Sequence, residues 1–205
     1  MVWIVAGISS GVRRNRAGNY NLSFGILCLT STHALFFHLP ALSPMSARLY
    51  LNGRWLAPQD AQVSVMDRGF LFGDGVYEVT PVYSRRPFRL EQHLLRLQRS
   101  LDAIALANPH TLAEWSALVM QLVAEAEWGD QSIYIQVTRG PTAVRSHAFP
   151  ANPQPTVLLF AEAMHRPGAG QVRDGVAAIS APDIRWLRCD IKSTSLLANC
   201  LLRQQ

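Results

Sequence analysis

A single lysine, Lys192, is the residue with the most distinctive chemistry in this sequence. It lies in the run Arg-Trp-Leu-Arg-Cys-Asp-Ile-Lys-Ser, and it is the one lysine among the 19 lysine and arginine residues of the chain. An ammonium group, unlike a guanidinium, can lose its proton in a buried or cationic environment, and the free amine forms a Schiff base with an aldehyde. Lys192 is therefore either a candidate for covalent catalysis or a leftover surface residue of an arginine-rich chain.

Other residues have types and spacings that suit the binding of anions. Arg145 and His147 share one face of an extended segment, and a guanidinium beside an imidazole can clamp a carboxylate. Arg96 lies on a predicted helix, where it can bind a phosphate. Tyr77 alternates with Glu78 along a predicted strand, so one of the two points inward. Each residue also has a plain structural explanation, as part of a solvated loop, a helix surface or the core.

Hydrophobic spacing and turn signals predict the elements that must position these residues. Asn52-Gly53 is typical of a two-residue hairpin turn, because both turn positions need a positive φ. Apolar residues at three- and four-residue steps between Leu90 and Ile104 predict one helix, and the capping box Thr111-Leu112-Ala113-Glu114 begins a second. The buried stripe of the second helix is expected to contain Leu112, Trp115, Leu118, Val119, Leu122 and Val123. Strands are predicted at Val76–Tyr83, Ser132–Thr138 and Thr156–Phe160.

Turns and a linker organise the rest of the chain. Residues 67–75 predict a glycine-studded turn, Ala163–Gly170 a linker, Gly175–Ser180 a new strand, and the residues from Ser193 onward a helix. Strands, two helices and further strands ahead of the linker indicate an α+β fold. We divide the chain into a leader (1–44), a small N-terminal domain (45–163), a linker (164–171) and the start of a second domain (172–205).

Composition and charge exclude several classes of function. Five arginines and no acid lie in residues 1–59, which leaves 14 of the 19 basic residues and all 14 acids in residues 60–205. The body of the chain is therefore neutral and lacks a basic run interleaved with aromatic residues, so no nucleic-acid binding is expected. Three cysteines without a Cys-x-x-Cys pair predict neither a disulfide framework nor a metal site, and they favour the cytoplasm.

The first 44 residues differ from the rest of the chain. No charged residue lies between Arg16 and Arg48, but glycine, serine, histidine and proline interrupt the apolar run Leu22–Leu42. Met45 then opens a stretch that is typical of an ordinary protein start. We expect residues 1–44 to be a disordered leader or an upstream translation artefact, with a signal or membrane anchor as the alternative.

From about Leu49 to Gln205 the sequence resembles the D-amino acid aminotransferases, within the fold type IV class of pyridoxal-phosphate enzymes. The resemblance lies in Tyr-Leu-Asn-Gly (50–53), Asp-Arg-Gly-Phe-Leu-Phe-Gly-Asp-Gly-Val-Tyr-Glu-Val (67–79), His-Leu-Leu-Arg-Leu (93–97), Gln-Val-Thr-Arg-Gly (136–140), Arg-Ser-His-Ala-Phe-Pro (145–150) and Asp-Ile-Arg-Trp-Leu-Arg-Cys-Asp-Ile-Lys-Ser (183–193). The last two segments are specific to the D-amino acid branch. The resemblance implies a two-domain α+β fold and pyridoxal 5'-phosphate as cofactor.

The resemblance also implies a role for each candidate residue. Lys192 corresponds to the lysine that binds the cofactor as a Schiff base and moves the proton, and Arg96 to the arginine that holds the cofactor phosphate. Tyr77, Arg145 and His147 correspond to the trap for the substrate α-carboxylate. In a homodimer, the implied assembly, Arg145 and His147 reach the neighbouring active site. The implied reaction moves the amino group of a D-amino acid such as D-alanine to a 2-oxo acid such as 2-oxoglutarate.

The sequence departs from the family after the lysine. Family members continue well beyond it, whereas here thirteen residues follow Lys192, up to Gln205, and none of them is acidic. The carboxylate that normally pairs with the pyridine nitrogen is therefore missing from this chain. We expect a C-terminally truncated second domain that leaves Leu196, Leu197, Leu201 and Leu202 partly exposed. The alternatives are a branched-chain aminotransferase or aminodeoxychorismate lyase of the same fold, or a non-catalytic fragment.

Overall fold

An antiparallel sheet of six strands forms the centre of the fold. The structure, a computed structural model, describes residues 45–204, so the expected leader at 1–44 lies outside the described residues. The strands are β1 (Leu49–Leu51), β2 (Arg54–Leu56), β3 (Gly75–Tyr83), β4 (Arg86–Pro87), β5 (Gln131–Thr138) and β6 (Thr156–Ala163). Their order is β2-β1-β6-β5-β3-β4, and every neighbouring pair is antiparallel.

Two long helices cover one face of this sheet. The helices in residues 45–204 are α1 (Arg68–Phe72), α2 (Leu90–Ala103), α3 (Leu112–Glu125), α4 (Ala169–Asp174) and α5 (Leu197–Arg203). Helix α2 packs against β3, and α3 packs against β5 and β6. The predicted capping box begins α3, because Thr111 accepts from the Glu114 amide and the Glu114 carboxylate accepts from the Thr111 amide.

The hydrophobic core lies between the sheet and these two helices. Ile133, Ile135 and Val137 alternate along β5 and have no exposed surface, because the two-residue period of a strand turns all three toward the helices. Trp115 of α3 belongs to the same cluster. Leu112, which was predicted to be buried, is 44% exposed. It is the first residue of α3, and burial begins one turn later at Trp115.

The predicted hairpin, the predicted strands at 76–83, 132–138 and 156–160 and the two long helices are confirmed, with small differences at their ends. Asn52 and Gly53 connect β1 to β2 with φ values of 49° and 84°, as a two-residue hairpin turn requires. Leu51 and Arg54 are the first pair of the resulting ladder.

Residues 67–75 contain a short helix where only a turn was predicted. The Asp67 side chain accepts a hydrogen bond from the Gly69 amide at 2.8 Å and so begins α1. Gly73 ends the helix in the left-handed region, with a φ of 66°. Five residues are too few to show a helical period in the sequence, so the cap residues were the only available signal.

The predicted strand at Gly175–Ser180 is wrong. These residues have no regular structure, and no strand in the described part of the chain pairs with them. The helix expected from Ser193 begins instead at Leu197, because Ser193 pairs with Val76 at the edge of β3.

The C-terminal segment leaves apolar residues at the surface. Leu197 and Leu201 are 73% and 55% exposed, as the sequence led us to expect. The division into a small domain, a linker at 164–171 and a second domain stays a prediction. Within residues 45–204 no helix combines the length and the apolarity needed to cross a membrane.

Candidate active site

A cleft of about 980 Å³ lies beside the part of the β3 edge that β4 leaves unpaired. Its walls are α1, the start of β3, Arg96 of α2 and the segment from Arg185 to Asn199. Lys192 and Tyr77 line the cleft together with Arg96, so the structure brings together three of the five predicted site residues. The volume is in the usual range for a small-molecule site.

Backbone hydrogen bonds fix Lys192 against β3. The Tyr77 amide donates to the Lys192 carbonyl at 2.9 Å, and the Thr194 amide donates to the Gly75 carbonyl at 3.0 Å. The Lys192 amide donates to the Ser100 hydroxyl of α2 at 3.4 Å. The segment is thus joined to the edge of β3 by one antiparallel bridge between Val76 and Ser193, which leaves little freedom in the position of the lysine Cα.

The side chain of Lys192 lies over an aromatic ring. Its Nζ is 3.8 Å from the centroid of the Tyr77 ring, which is a cation–π distance. Tyr77 stacks on Tyr134 at 5.7 Å between centroids, and Tyr134 stacks on Phe160 at 4.8 Å. Burial raises the pKa of Tyr134 to about 12, so its phenol is neutral at physiological pH. The three rings form an aromatic row on the sheet face opposite α2 and α3.

Gly73 allows the lysine segment to approach α1 closely. A Cβ atom at this position would lie 2.5 Å from the Ser195 hydroxyl oxygen, and the backbone φ of 66° disfavours any residue with a side chain. The Thr194 hydroxyl donates to the Gly73 carbonyl at 3.0 Å. A glycine at this place in the sequence is therefore needed for both the turn and the contact.

A buried carboxylate holds Arg96 at the wall of the cleft. Glu78, and not Tyr77, occupies the core face of β3 and has no exposed surface. It accepts hydrogen bonds from Nε of Arg96 at 2.5 Å and from Nη2 at 2.7 Å, and Nδ1 of His93 lies 3.0 Å away. The hydrogen bond to Glu78 raises the pKa of Arg96 above its already high ordinary value, so the guanidinium stays charged.

A second buried ion-pair cluster fixes the loop that follows β5. Asp74 accepts from Nε of Arg68 at 2.7 Å and from Nε of Arg139 at 2.9 Å, and both guanidinium groups are almost fully buried. Arg68 also donates to the carbonyl oxygens of the three consecutive residues 146–148. The cluster therefore ties down the loop that carries the predicted Arg145–His147 clamp.

Arg145 and His147 are not among the described residues that line the cleft. Both are exposed, and both contact Phe72. The Arg145 guanidinium carbon lies 5.0 Å from the Phe72 ring centroid, and the His147 ring centroid lies 5.2 Å from it. Because Phe72 itself lines the cleft, the clamp residues lie behind one of its walls within a single chain.

Comparison with known proteins decides the family. Residues 75–205 match the family described as amino-transferase class IV. The chain belongs to the class IV aminotransferases. It is also similar to the D-alanine aminotransferase of Staphylococcus epidermidis, with 41% identity over 158 residues that cover 77% of this chain and 55% of the relative. This class IV chain thus spans about half the length of the curated relatives it matches.

Solved structures confirm the fold of this class IV aminotransferase chain. The branched-chain aminotransferase of Thermoproteus uzoniensis with norvaline gives a TM-score of 0.52 at 27% identity, over 59% of this chain and 42% of that one. The 4-amino-4-deoxychorismate lyase of Pseudomonas aeruginosa gives 0.51 at 30% identity, over 62% and 44%. The predicted α+β fold of type IV is confirmed, as is the family resemblance.

Two acids that hold neighbours of the cleft in place in this class IV chain were missed in the sequence. Glu78 was noted only as a neighbour of Tyr77, although a carboxylate on the core face of a strand always needs a partner. The signal was available, because His93 and Arg96 are three residues apart on the helix that packs against β3. Asp74 carried no comparable signal, since Arg68 lies in the short helix α1, which shows no helical period in the sequence, and Arg139 follows β5, 65 residues further along the chain.

Proposed function

We propose that this chain acts as a pyridoxal-phosphate-dependent transaminase on a D-amino acid such as D-alanine, with a 2-oxo acid such as 2-oxoglutarate as acceptor. The observation that carries the proposal is the position of Lys192. The single lysine of the chain lies half-buried in the cleft, with its amine 3.8 Å from the Tyr77 ring. The similarity to a D-alanine aminotransferase favours the D-amino acid as donor.

The residues of the cleft fit pyridoxal 5'-phosphate as cofactor. A phosphorylated aromatic aldehyde needs a primary amine, a cation for its phosphate and room for a planar ring. Lys192 supplies the amine, Arg96 supplies the cation, and the cleft of about 980 Å³ is large enough for the ring and a substrate. When bound, this cofactor supplies an electron sink for the carbanion at the substrate Cα.

The chain's own residues then have distinct tasks. Nζ of Lys192 would hold the cofactor covalently and move the proton at the substrate Cα. Nη1 of Arg96 has no hydrogen-bond partner within residues 45–204 and is available to the phosphate. The Tyr77 hydroxyl would bind the substrate carboxylate, which orients the Cα–H bond toward the lysine.

The proposed assembly is a homodimer in which the clamp of one chain serves the cleft of the other. Arg145 and His147 are exposed and lie behind a wall of their own chain's cleft, so they are accessible to a second subunit. Together with Tyr77 they would surround the α-carboxylate with a guanidinium, an imidazole and a phenol. We place the protein in the cytoplasm, which the exposed free thiols of Cys189 and Cys200 favour.

A substrate comparison tests this function. The chain is loaded with pyridoxal phosphate, and amino transfer to 2-oxoglutarate is measured with D-alanine and, separately, with L-leucine. We expect D-alanine to be the better donor, and Lys192→Ala to lose both activities. A preference for L-leucine would favour the branched-chain aminotransferase alternative. Failure to bind the cofactor at all would favour a non-catalytic chain.

A further inference from the structure

Glu78 is a buried acid in a place where a strand normally carries an apolar residue. Its neighbours on the same face of β3 are Val76 and Thr80, and all three residues have no exposed surface. Removing a carboxylate from water costs several kcal/mol unless the charge is paired and fully hydrogen-bonded. The position therefore calls for an explanation other than packing.

The pairing of Glu78 is directional. Both carboxylate oxygens are used, Oε1 by Nε of Arg96 and Oε2 by Nη2 of Arg96 and Nδ1 of His93. A two-point contact fixes the plane of the guanidinium as well as its position. It occupies one edge of the group and leaves Nη1 without a hydrogen-bond partner in residues 45–204.

The Arg96 side chain lies at the wall of the cleft. The Arg96 side chain is 44% exposed although its carboxylate partner is fully buried, and Arg96 is the residue of α2 that lines the cleft. A guanidinium held on one edge by the core and open on the other has lost much of its rotamer freedom before any ligand arrives.

We propose that Glu78 is a positioning residue, which aims Nη1 of Arg96 at the phosphate of the cofactor. The inference rests on the function proposed above. Glu78 itself does not touch the cofactor, and its negative charge opposes phosphate binding. Its contribution is to fix the orientation of the guanidinium, and this contribution outweighs the repulsion because the carboxylate lies on the far side of Arg96.

Two aldehydes that differ only in the phosphate separate this role from a purely structural one. The chain and its Glu78→Gln variant are titrated with pyridoxal phosphate and with pyridoxal, reduced with borohydride, and the adduct on Lys192 is counted by mass spectrometry. Loss of a charged hydrogen-bond partner predicts about tenfold weaker binding of pyridoxal phosphate, with pyridoxal unchanged. Glu91 is an exposed glutamate on α2, the helix that carries Arg96, so Glu91→Gln is the control and is expected to change neither affinity.

A second variant covers the case in which Glu78→Gln does not fold. Glu78→Asp keeps the buried charge but withdraws the carboxylate from the guanidinium, so it too is expected to weaken binding of pyridoxal phosphate selectively. Equal weakening of both aldehydes, or tighter binding of pyridoxal phosphate, would overturn the role of Glu78 and leave the proposed function intact. If neither pyridoxal phosphate nor pyridoxal modifies Lys192 in the parent chain, the proposed function is overturned, and this inference with it.

Discussion

Tyr77 and Lys192 are joined twice, once through the backbone and once through their side chains. The Tyr77 amide donates to the Lys192 carbonyl at 2.9 Å, and Nζ of Lys192 lies 3.8 Å from the centroid of the Tyr77 ring. The position of the lysine amine is therefore set by β3, although Lys192 itself lies far along the chain.

Gly73→Ala is expected to lower the free energy of unfolding more than the same substitution at another glycine with a positive φ. The substitution introduces a left-handed φ strain and a clash with Ser195, and should cost about 2 kcal/mol or more of unfolding free energy. Gly53→Ala is the matched control, because it has the same kind of backbone strain with nothing within 4 Å of the new Cβ. Urea denaturation compares the two. Equal losses of stability would contradict a special contact at Gly73.

Asp74→Asn should be among the most destabilising single changes in the described part of the chain. It replaces the carboxylate that two almost fully buried guanidinium groups, Arg68 and Arg139, share by a neutral amide, and the uncompensated buried charge is expected to cost about 3–5 kcal/mol. Asp174→Asn disrupts the exposed pair with Arg173 and should leave the unfolding free energy unchanged. A small effect of Asp74→Asn in the same urea titration would mean that the cluster contributes little to the fold.

The sequence predicted the elements with strong local signals and three of the residues that line the cleft. The Asn52-Gly53 turn and the capping box of α3 depend on a few adjacent residues, so the hairpin and the start of the helix could be predicted from the sequence alone. Lys192, Tyr77 and Arg96 were named as candidates, and the structure places them around one cleft.

The missed features depend on contacts between distant parts of the chain. Ser193 does not begin a helix because its backbone pairs with Val76 at the edge of the sheet. The shared role of Asp74 requires Arg139, which follows β5, to meet Arg68 of α1. Neither relationship leaves a local pattern of spacing or composition, so the sequence could not reveal it.

The stability of the fold should fall at high pH through the ionisation of Tyr134. Burial raises its pKa from about 10 in an unfolded chain to about 12 in the fold. The folded state therefore holds this proton more tightly than the unfolded state. The contribution is fully present below about pH 10 and is lost as the pH rises toward 12. Tyr134→Phe should flatten this part of the curve of unfolding free energy against pH. An unchanged slope in the variant would contradict the raised pKa.

Mixing two inactive variants tests the shared active site. Lys192→Ala lacks the reactive amine, and Arg145→Ala lacks part of the clamp. If each clamp serves the neighbouring cleft, a mixed dimer contains one intact site. Random mixing after reversible dissociation should then restore about a quarter of the parent D-alanine transaminase activity. Mixing Lys192→Ala with Tyr77→Phe is the control, because Lys192 and Tyr77 line the cleft of the same chain, so each cleft of a mixed dimer carries one lesion and no activity should return. A first mixture no more active than this control would show that Arg145 does not act across subunits.

The most direct test of the central claim is a covalent map of the lysine. The chain is incubated with pyridoxal 5'-phosphate, reduced with borohydride and analysed by peptide mass spectrometry, with Lys192→Arg as the control. Since the chain has one lysine, the α-amino group is the only competing amine. A cofactor site at the cleft predicts one adduct per chain, on the peptide that contains Lys192, and none on that peptide in the variant. A folded chain whose Lys192 stays unmodified at saturating cofactor would contradict the account.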